Sequence, residues 1–384
     1  MTDWVSSPSN TKLHHAVALM ALALAILGRW WLYLTSPATL GDEGIYLQAF
    51  HAVASGGDPN QVSGFYYPTT FAVLGGWLLQ SLGEIGTRAL LRAISVLGLA
   101  VTVWISACLW TAPWSWRLAL SSLFVSISPA VYYGIETGNI AFAISGAILL
   151  ALTLWSVHPV SAGVLLGGST AIKPLAPLAI LALVAHRPVP STRRQLLAGG
   201  VGGVLASAIL SMNLGYLSTL SSAIGRLPSI RSISLHRILG LLGLEASPVM
   251  IAAILGLLIV LVVRRYPMTR RAMLCFGGVA AVLAVPIIWS HTLLLTLPVQ
   301  VLALTRARSR RQGLLLKTSL WRRYESTFVI LAVIALQLTE GAGAIDDQAM
   351  GFQLVVIGGA YLAAPALMAY VLATDHQARR PAPL

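Results

Sequence analysis

Charge is what this chain has least of. Only 10% of its 384 residues are Asp, Glu, Lys or Arg, and acids are the scarcer sign, 12 against 25 basic residues. A soluble protein of this length needs more charge than that to cover its surface, so a soluble class is excluded. Cysteine is nearly absent too: Cys108 and Cys275 both lie in apolar runs, which excludes a disulfide framework or a thiolate metal cluster. There is no His-Glu pairing at helical spacing and no Asp-x-Asp, so neither a metal nor another cofactor is expected. Internal repeats are missing, which removes support for the inverted-repeat architecture of many transporters. Extended polar segments are confined to about 35–67, 218–247 and 306–325, leaving no room for a separate soluble domain.

Apolar sequence fills the remainder. Residues are 57% hydrophobic, and no Asp, Glu, Lys or Arg occurs in 13–28, 196–225, 247–263, 272–305 or 348–374. Each run is near or above the roughly 18–20 residues that cross a bilayer. The expected fold is therefore all-α, a polytopic transmembrane bundle of about twelve helices forming one domain over 1–384. Spans are expected at about 14–34, 88–110, 117–134, 139–156, 195–217, 248–263, 272–289, 290–305, 326–344 and 350–373. The first is kept as an anchor, because Thr35-Ser-Pro-Ala38 is a weak cleavage site. It ends in Trp30-Trp31-Leu32-Tyr33, an aromatic belt at the outer interface.

The net charge of +13 does not point to nucleic acid. Basic residues cluster between apolar runs, at Arg187/Arg193/Arg194, Arg264/Arg265/Arg270/Arg271, Arg306 to Arg323 and Arg379/Arg380. That is the positive-inside pattern, with these loops facing the cytoplasm and its anionic lipids. It makes 306–325 a basic cytoplasmic loop, and 35–87 and 218–247 extracytoplasmic loops, the first bearing short interfacial helices. Arginine, alanine and leucine are abundant and lysine is scarce, which fits a GC-rich bacterial genome and a bacterial plasma membrane.

Two segments trade against each other. Segment 68–83 is short for a span, and 161–186 carries Lys173-Pro174 at its centre. A mid-bilayer lysine is costly, and proline removes a helix hydrogen bond. If 68–83 crosses, 161–186 is one helix with a buried lysine. If 68–83 lies at the interface, 161–172 and 174–186 become two short helices with Lys173 at the outer turn. The second arrangement is preferred because it hydrates Lys173.

On that topology the outer face gathers Asp42, Glu43, Asp58, Glu136, Asn139, Lys173, Arg226, Arg231, His236, Arg237 and His291. Interfacial ionisable groups are functional candidates, since little else compensates their desolvation. Mixed signs suit a substrate with an anionic part and a reacting hydroxyl: carboxylates act as general base, while Lys and Arg hold phosphate oxygens. The plainer alternatives are that Asp42 and Glu43 cap the helix beginning near Ile45, and that Lys173 pairs with Glu136. Gly167-Gly168 reads as a close helix contact, since no phosphate-binding loop surrounds it.

Several blocks resemble glycosyltransferase family 87. They are Asp42-Glu-Gly-Ile-Tyr46-Leu-Gln-Ala49, Ser55-Gly-Gly-Asp-Pro59, Phe65-Tyr-Tyr-Pro68, Gly138-Asn139-Ile140, Gly167-Gly-Ser-Thr-Ala-Ile-Lys173-Pro174 and Pro286-Ile-Ile-Trp-Ser-His291, in the family's order. The resemblance implies a GT-C enzyme moving mannose or a related hexose from a polyprenyl-phosphate donor to a lipid or glycan acceptor, with inversion. It matches Asp42 to the catalytic base, Lys173 to a lysine near the donor phosphate and His291 to a histidine close to the reaction centre. Glu43 stands where an apolar residue is more usual, so either carboxylate is a candidate base. Thr69 stands in place of a second proline and Asn139 in place of a frequent glutamine. Glu136, Asn139, Tyr46 and Tyr67 are candidates for the sugar, and Arg226, Arg231 and Arg237 for the phosphate. The competing class is a transporter or lipid flippase using the same charges as a translocation path.

Overall fold

The computed structural model describes residues 41–110, 114–186, 190–211, 235–244, 247–266, 268–283, 290–312, 327–336 and 362–374, with isolated positions 17, 20, 24, 31, 33, 35 and 39. Among these residues every regular element is helical. In chain order they are α1 (Gly41–Ala54), α2 (Thr69–Cys108), α3 (Trp114–Ile127), α4 (Pro129–Thr137), α5 (Ala141–Leu154), α6 (Pro159–Ile172) and α7 (Pro177–Ala185). Then follow α8 (Pro190–Ser211), α9 (Leu235–Leu241), α10 (Pro248–Arg265), α11 (Arg270–Leu283), α12 (Leu297–Gln312), α13 (Thr327–Leu336) and α14 (Leu362–Thr374). Two 3-10 turns, Pro59–Gln61 and Ser290–Thr296, complete the set.

Helix breaks fall where the sequence demands them. Lys173 ends α6 in extended conformation, φ −149° and ψ 123°. Pro174 follows it, and a residue before proline is driven out of the helical region while proline itself offers no N–H to continue the ladder. Lys173 thus sits in the turn between two short helices, outside both, but it is buried there at 7% exposure and not hydrated as expected, because the turn packs inward. Gly83 adopts φ 68° and ψ 176° inside α2, a conformation open to glycine and strained for other residues. It divides α2 into 69–82 and 84–108.

The expected span 117–134 is instead two helices. Ser128 accepts a hydrogen bond from Val131 N at 3.4 Å and Pro129 occupies the first helical turn, so α4 starts afresh. The 290–305 span opens as a 3-10 turn before becoming α12. Arg306–Gln312 continue α12 as helix, and the rest of the expected basic loop, 313–325, lies outside the described residues. Among the described residues, α2 is the helix long and apolar enough to cross a membrane by length and composition. Helices such as α5 and α6, at 14 residues, extend only about 21 Å against a core of about 30 Å.

Packing brings these pieces to one place. α6 and α8 meet along a glycine seam: a Cβ on Gly163 would stand 2.4 Å from Leu196 O, and one on Gly167 2.5 Å from Gly200 O. Small residues at four-residue spacing allow that approach; of the expected Gly167-Gly168 contact, Gly167 lies in the seam, while a Cβ on Gly168 would meet nothing within 4 Å. α5 lies on α2, α7 on α10 and α11, and α1 on the first half of α2. Beneath α1, Tyr46, Phe50, Phe65, Tyr67 and Phe71 form an aromatic cluster with ring centroids 5.0–6.4 Å apart. Edge-to-face pairs of this kind contribute about 0.5–1.5 kcal/mol each beyond burial. They hold the first-loop helix as a rigid shelf.

Candidate active site

Asp42 and Glu43 occupy the first turn of α1, where the helix N-terminus favours anions. Their neighbours divide them sharply. Glu43 is buried, at 1% exposure, and its carboxylate takes Arg92 Nε at 2.9 Å and Nη2 at 3.1 Å in a two-pronged pair. Arg88 Nε adds a contact at 3.1 Å that lacks hydrogen-bond alignment. Arg92 also donates Nη1 to Tyr33 O at 2.7 Å and stacks over the Tyr33 ring, fixing α1 and α2 to the end of the first apolar run. Arg88 in turn bonds Glu84 at 2.5 Å, and Glu84 meets His51 at 3.5 Å near the surface. Burial pushes the Glu43 carboxyl up, and the Arg92 guanidinium pulls it back down.

Asp42 faces the other way. Asn139 Nδ2 donates to its Oδ2 at 2.5 Å. Gly138 makes that placement: it closes α4 in left-handed conformation, φ 67° and ψ 32°, so that the chain turns directly into α5. Asn139 Oδ1 then accepts from Ala141 N at 2.8 Å, capping α5 and leaving the amide nitrogen to point at Asp42. The same nitrogen donates to Tyr67 Oη at 3.3 Å, and Tyr67 Oη shares a 2.6 Å hydrogen bond with Tyr46 Oη. Burial raises the Asp42 carboxyl above its ordinary value, with the Asn139 bond and the Lys173 charge opposing that rise.

Lys173 completes the arrangement. Its ammonium stands 5.4 Å from the Tyr67 ring centroid, is 7% exposed and makes no hydrogen bond among the described residues. Burial lowers it to about 8, and Asp42 partly offsets the effect. A lysine ammonium carries three donors and no acceptor, which is the complement of an anion's oxygens.

The sequence candidates therefore separate. Asp42, Asn139, Tyr67 and Lys173 come together, drawn from the first loop, the α4–α5 junction and the α6–α7 turn. Tyr46, at 1% exposure and with its hydroxyl spent on Tyr67, supports the site from below and is not a sugar-facing surface. Glu136 is exposed on α4, and the charge acting on Lys173 comes from Asp42. His291 belongs to the 3-10 turn Ser290–Thr296, which packs against α4, α5 and α11, while its side chain lies outside the described residues. The same holds for the side chains of His236 and Arg237 in α9, and for Arg226 and Arg231 entirely. Asp58 caps the first 3-10 turn by accepting from Asn60 N at 2.9 Å. Arg88 and Arg92 were not foreseen. Their signal was the spacing Glu84, Arg88, Arg92, which sets three charges on one helix face at the mouth of an apolar run. Among the described residues no group of three or more His, Cys, Asp or Glu has the arrangement of a metal site.

Against known proteins, the chain is similar to two crystal structures of ArnT from Cupriavidus metallidurans. The form bound to undecaprenyl phosphate shows 16% identity and a TM-score of 0.39, covering 97% of this chain and 78% of that one. The apo form shows 15% identity and a TM-score of 0.38, covering 94% and 77%. No curated protein matches. The profile of glycosyltransferase family 87 matches residues 65–320, two thirds of the sequence and including Tyr67, Asn139 and Lys173. The chain belongs to glycosyltransferase family 87.

Proposed function

We propose that this enzyme transfers a hexose, mannose first among them, from a polyprenyl-phosphate sugar to a lipid or glycan acceptor on the extracytoplasmic face, with inversion. Asp42 takes the proton of the acceptor hydroxyl as its oxygen attacks the anomeric carbon. The bond from that carbon to the phosphate oxygen breaks, and the polyprenyl phosphate leaves with the electron pair. Lys173 stabilises the departing phosphate through donors it spends on nothing else. Asn139 aims the Asp42 carboxylate and Tyr67 lines the floor between base and cation. His291 orients donor or acceptor, Glu136 meets sugar hydroxyls from the exposed face of α4, and Arg226, Arg231 and Arg237 reinforce the phosphate site. Two membrane-held substrates meeting in fixed orientation supply much of the rate.

One observation supports this proposal: Asn139 bonds both the Asp42 carboxylate and the Tyr67 hydroxyl, and an unspent buried ammonium stands over the same Tyr67 ring. Membership of an enzyme family leaves the transporter or flippase alternative without support. In this reading a polyprenyl monophosphate carries few enough charges for Lys and Arg to neutralise without a divalent ion. The enzyme sits in the bacterial plasma membrane, with 35–87 and 218–247 outside, 68–83 at the interface and about twelve crossings in all. The test is transfer of label from radiolabelled polyprenyl-phosphate mannose by purified protein, run beside a panel of other polyprenyl-phosphate hexoses. Asp42→Asn should abolish transfer; full activity would end the proposal. A preference for another hexose would correct the sugar alone.

A further inference from the structure

Among the described residues, the Asp42 carboxylate has one aligned donor, and that donor is fully spent. Asn139 Nδ2 carries two hydrogens; one goes to Asp42 Oδ2 and the other to Tyr67 Oη. Lys173 acts on Asp42 through its charge, and in the proposed reaction its donors go to the phosphate. One hydroxyl is left at the carboxylate. Thr137 Oγ1 faces Asp42, is shut off from solvent and makes no aligned hydrogen bond among the described residues. We propose that Thr137 is a positioning residue whose hydroxyl is the second donor to the Asp42 carboxylate, keeping the buried base ionised and aimed. This inference rests on Asp42 being the base of the proposed reaction.

The backbone explains the placement. Thr137 is the last residue of α4, and Gly138, in left-handed conformation, separates it from Asn139. Gly41, the residue before Asp42, packs against the same corner: a Cβ on it would lie 3.9 Å from Thr137 Cα and 4.0 Å from Thr137 Cβ and Cγ2. That contact holds the hydroxyl-bearing carbon beside the first turn of α1, where Asn139 already meets Asp42. A buried hydroxyl left unbonded is costly, so a small side-chain rotation that completes a bond to a carboxylate is favoured. Burial raises the Asp42 carboxyl, and the groups opposing that rise are, in order, Asn139, Lys173 and Thr137. A donor to the ionised form acts in that direction because it stabilises the charge that burial penalises. The titratable groups around Asp42 are Lys173 in the α6–α7 turn, Tyr46 on α1 and Tyr67 in the first loop. Lys173 changes charge near 8, on the opposite limb of the profile, and burial keeps Tyr46 neutral. Glu43 faces the Arg92 clamp, Glu136 on α4 is exposed, and the side chain of His291, whose turn packs on α4, lies outside the described residues.

The test is the pH dependence of kcat/KM for full-length purified enzyme, which reports the free enzyme's groups. The substrate is whichever radiolabelled polyprenyl-phosphate hexose the enzyme prefers. Thr137→Val keeps the branched shape and removes the donor; it should move the acid limb upward by about half to one pH unit, the loss of one hydrogen bond to a charged group. Thr137→Ser keeps the donor and removes a methyl group; it should leave the limb at the wild-type position. A packing role predicts the reverse order, with Thr137→Val unaffected and Thr137→Ser impaired. A wild-type limb in Thr137→Val, or a limb displaced as far in Thr137→Ser, would overturn the proposal. If Thr137→Val does not fold, Thr137→Ala against Thr137→Ser makes the same comparison, since those two differ by the hydroxyl alone. Asp42→Asn keeps the failures apart. Activity retained there defeats the base assignment, whereas an inactive Asp42→Asn with an unmoved limb in Thr137→Val defeats only this inference.

Discussion

Replacing Lys173 should make the protein more stable while disabling it. Burial lowers the Lys173 ammonium from its ordinary value of 10.5 to about 8. A depressed lysine means that the unfolded chain binds the proton more tightly than the native one. The penalty is fully present below pH 8 and disappears as pH rises from about 8 toward 10.5. Its size is the shift times 1.36 kcal/mol per unit, about 3 kcal/mol. Lys173→Met removes that penalty and forfeits the contact with the Tyr67 ring, worth up to about 2 kcal/mol when desolvated. The net expectation is a gain of about 1–2 kcal/mol at pH 7, read as an apparent Tm a few degrees higher in detergent. Over the same change, kcat/KM should fall roughly 10- to 150-fold, the loss of one charge-assisted phosphate contact. Wild-type kcat/KM should also decline above about pH 8 as the ammonium deprotonates. Lys173→Arg, charged at every accessible pH, should lose that basic limb. A Lys173→Met protein that is less stable and fully active would refute the reasoning.

Other outcomes follow from the same contacts. Asn139→Asp keeps the cap on α5 but sets a second carboxylate against Asp42 Oδ2; the two should share a proton, and the acid limb of kcat/KM should rise by about two units. Gly163→Leu drives a side chain into the Leu196 carbonyl and should lower stability by at least about 2 kcal/mol, measured as a fall in apparent Tm. Adding a chelator should leave turnover unchanged, since phosphate charge is met by Lys and Arg; loss of turnover restored by a divalent ion would contradict that.

Local chemistry was the legible part of this fold. Lys173-Pro174 announces a helix break because proline acts on its own neighbour, and Gly138-Asn139 marks a junction for the same short-range reason. The ordered blocks from Asp42 to His291 were readable as one family pattern, and the family match covers most of them. Contacts across the chain were not readable. Glu43 and Arg92 are 49 residues apart, and nothing in the local sequence of either names the other. Asp42 and Glu43 look equivalent in sequence, yet adjacent side chains on a helix point about 100° apart, so one enters the Arg92 clamp and the other the Asn139 junction. Tyr46 was a substrate candidate, but its ring is buried in the aromatic cluster and its hydroxyl is bonded to Tyr67, contacts across the chain that its own block does not announce. The span 117–134 read as continuous because hydropathy is blind to what Ser128-Pro129 does to the backbone.

The most direct measurement is a structure of the enzyme with a polyprenyl phosphate bound. Phosphate oxygens within about 2.7–3 Å of Lys173 Nζ, with the sugar-bearing oxygen turned toward Asp42, are predicted. A phosphate held elsewhere, with Lys173 still uncontacted, would contradict the assignment of base and cation to one reaction centre.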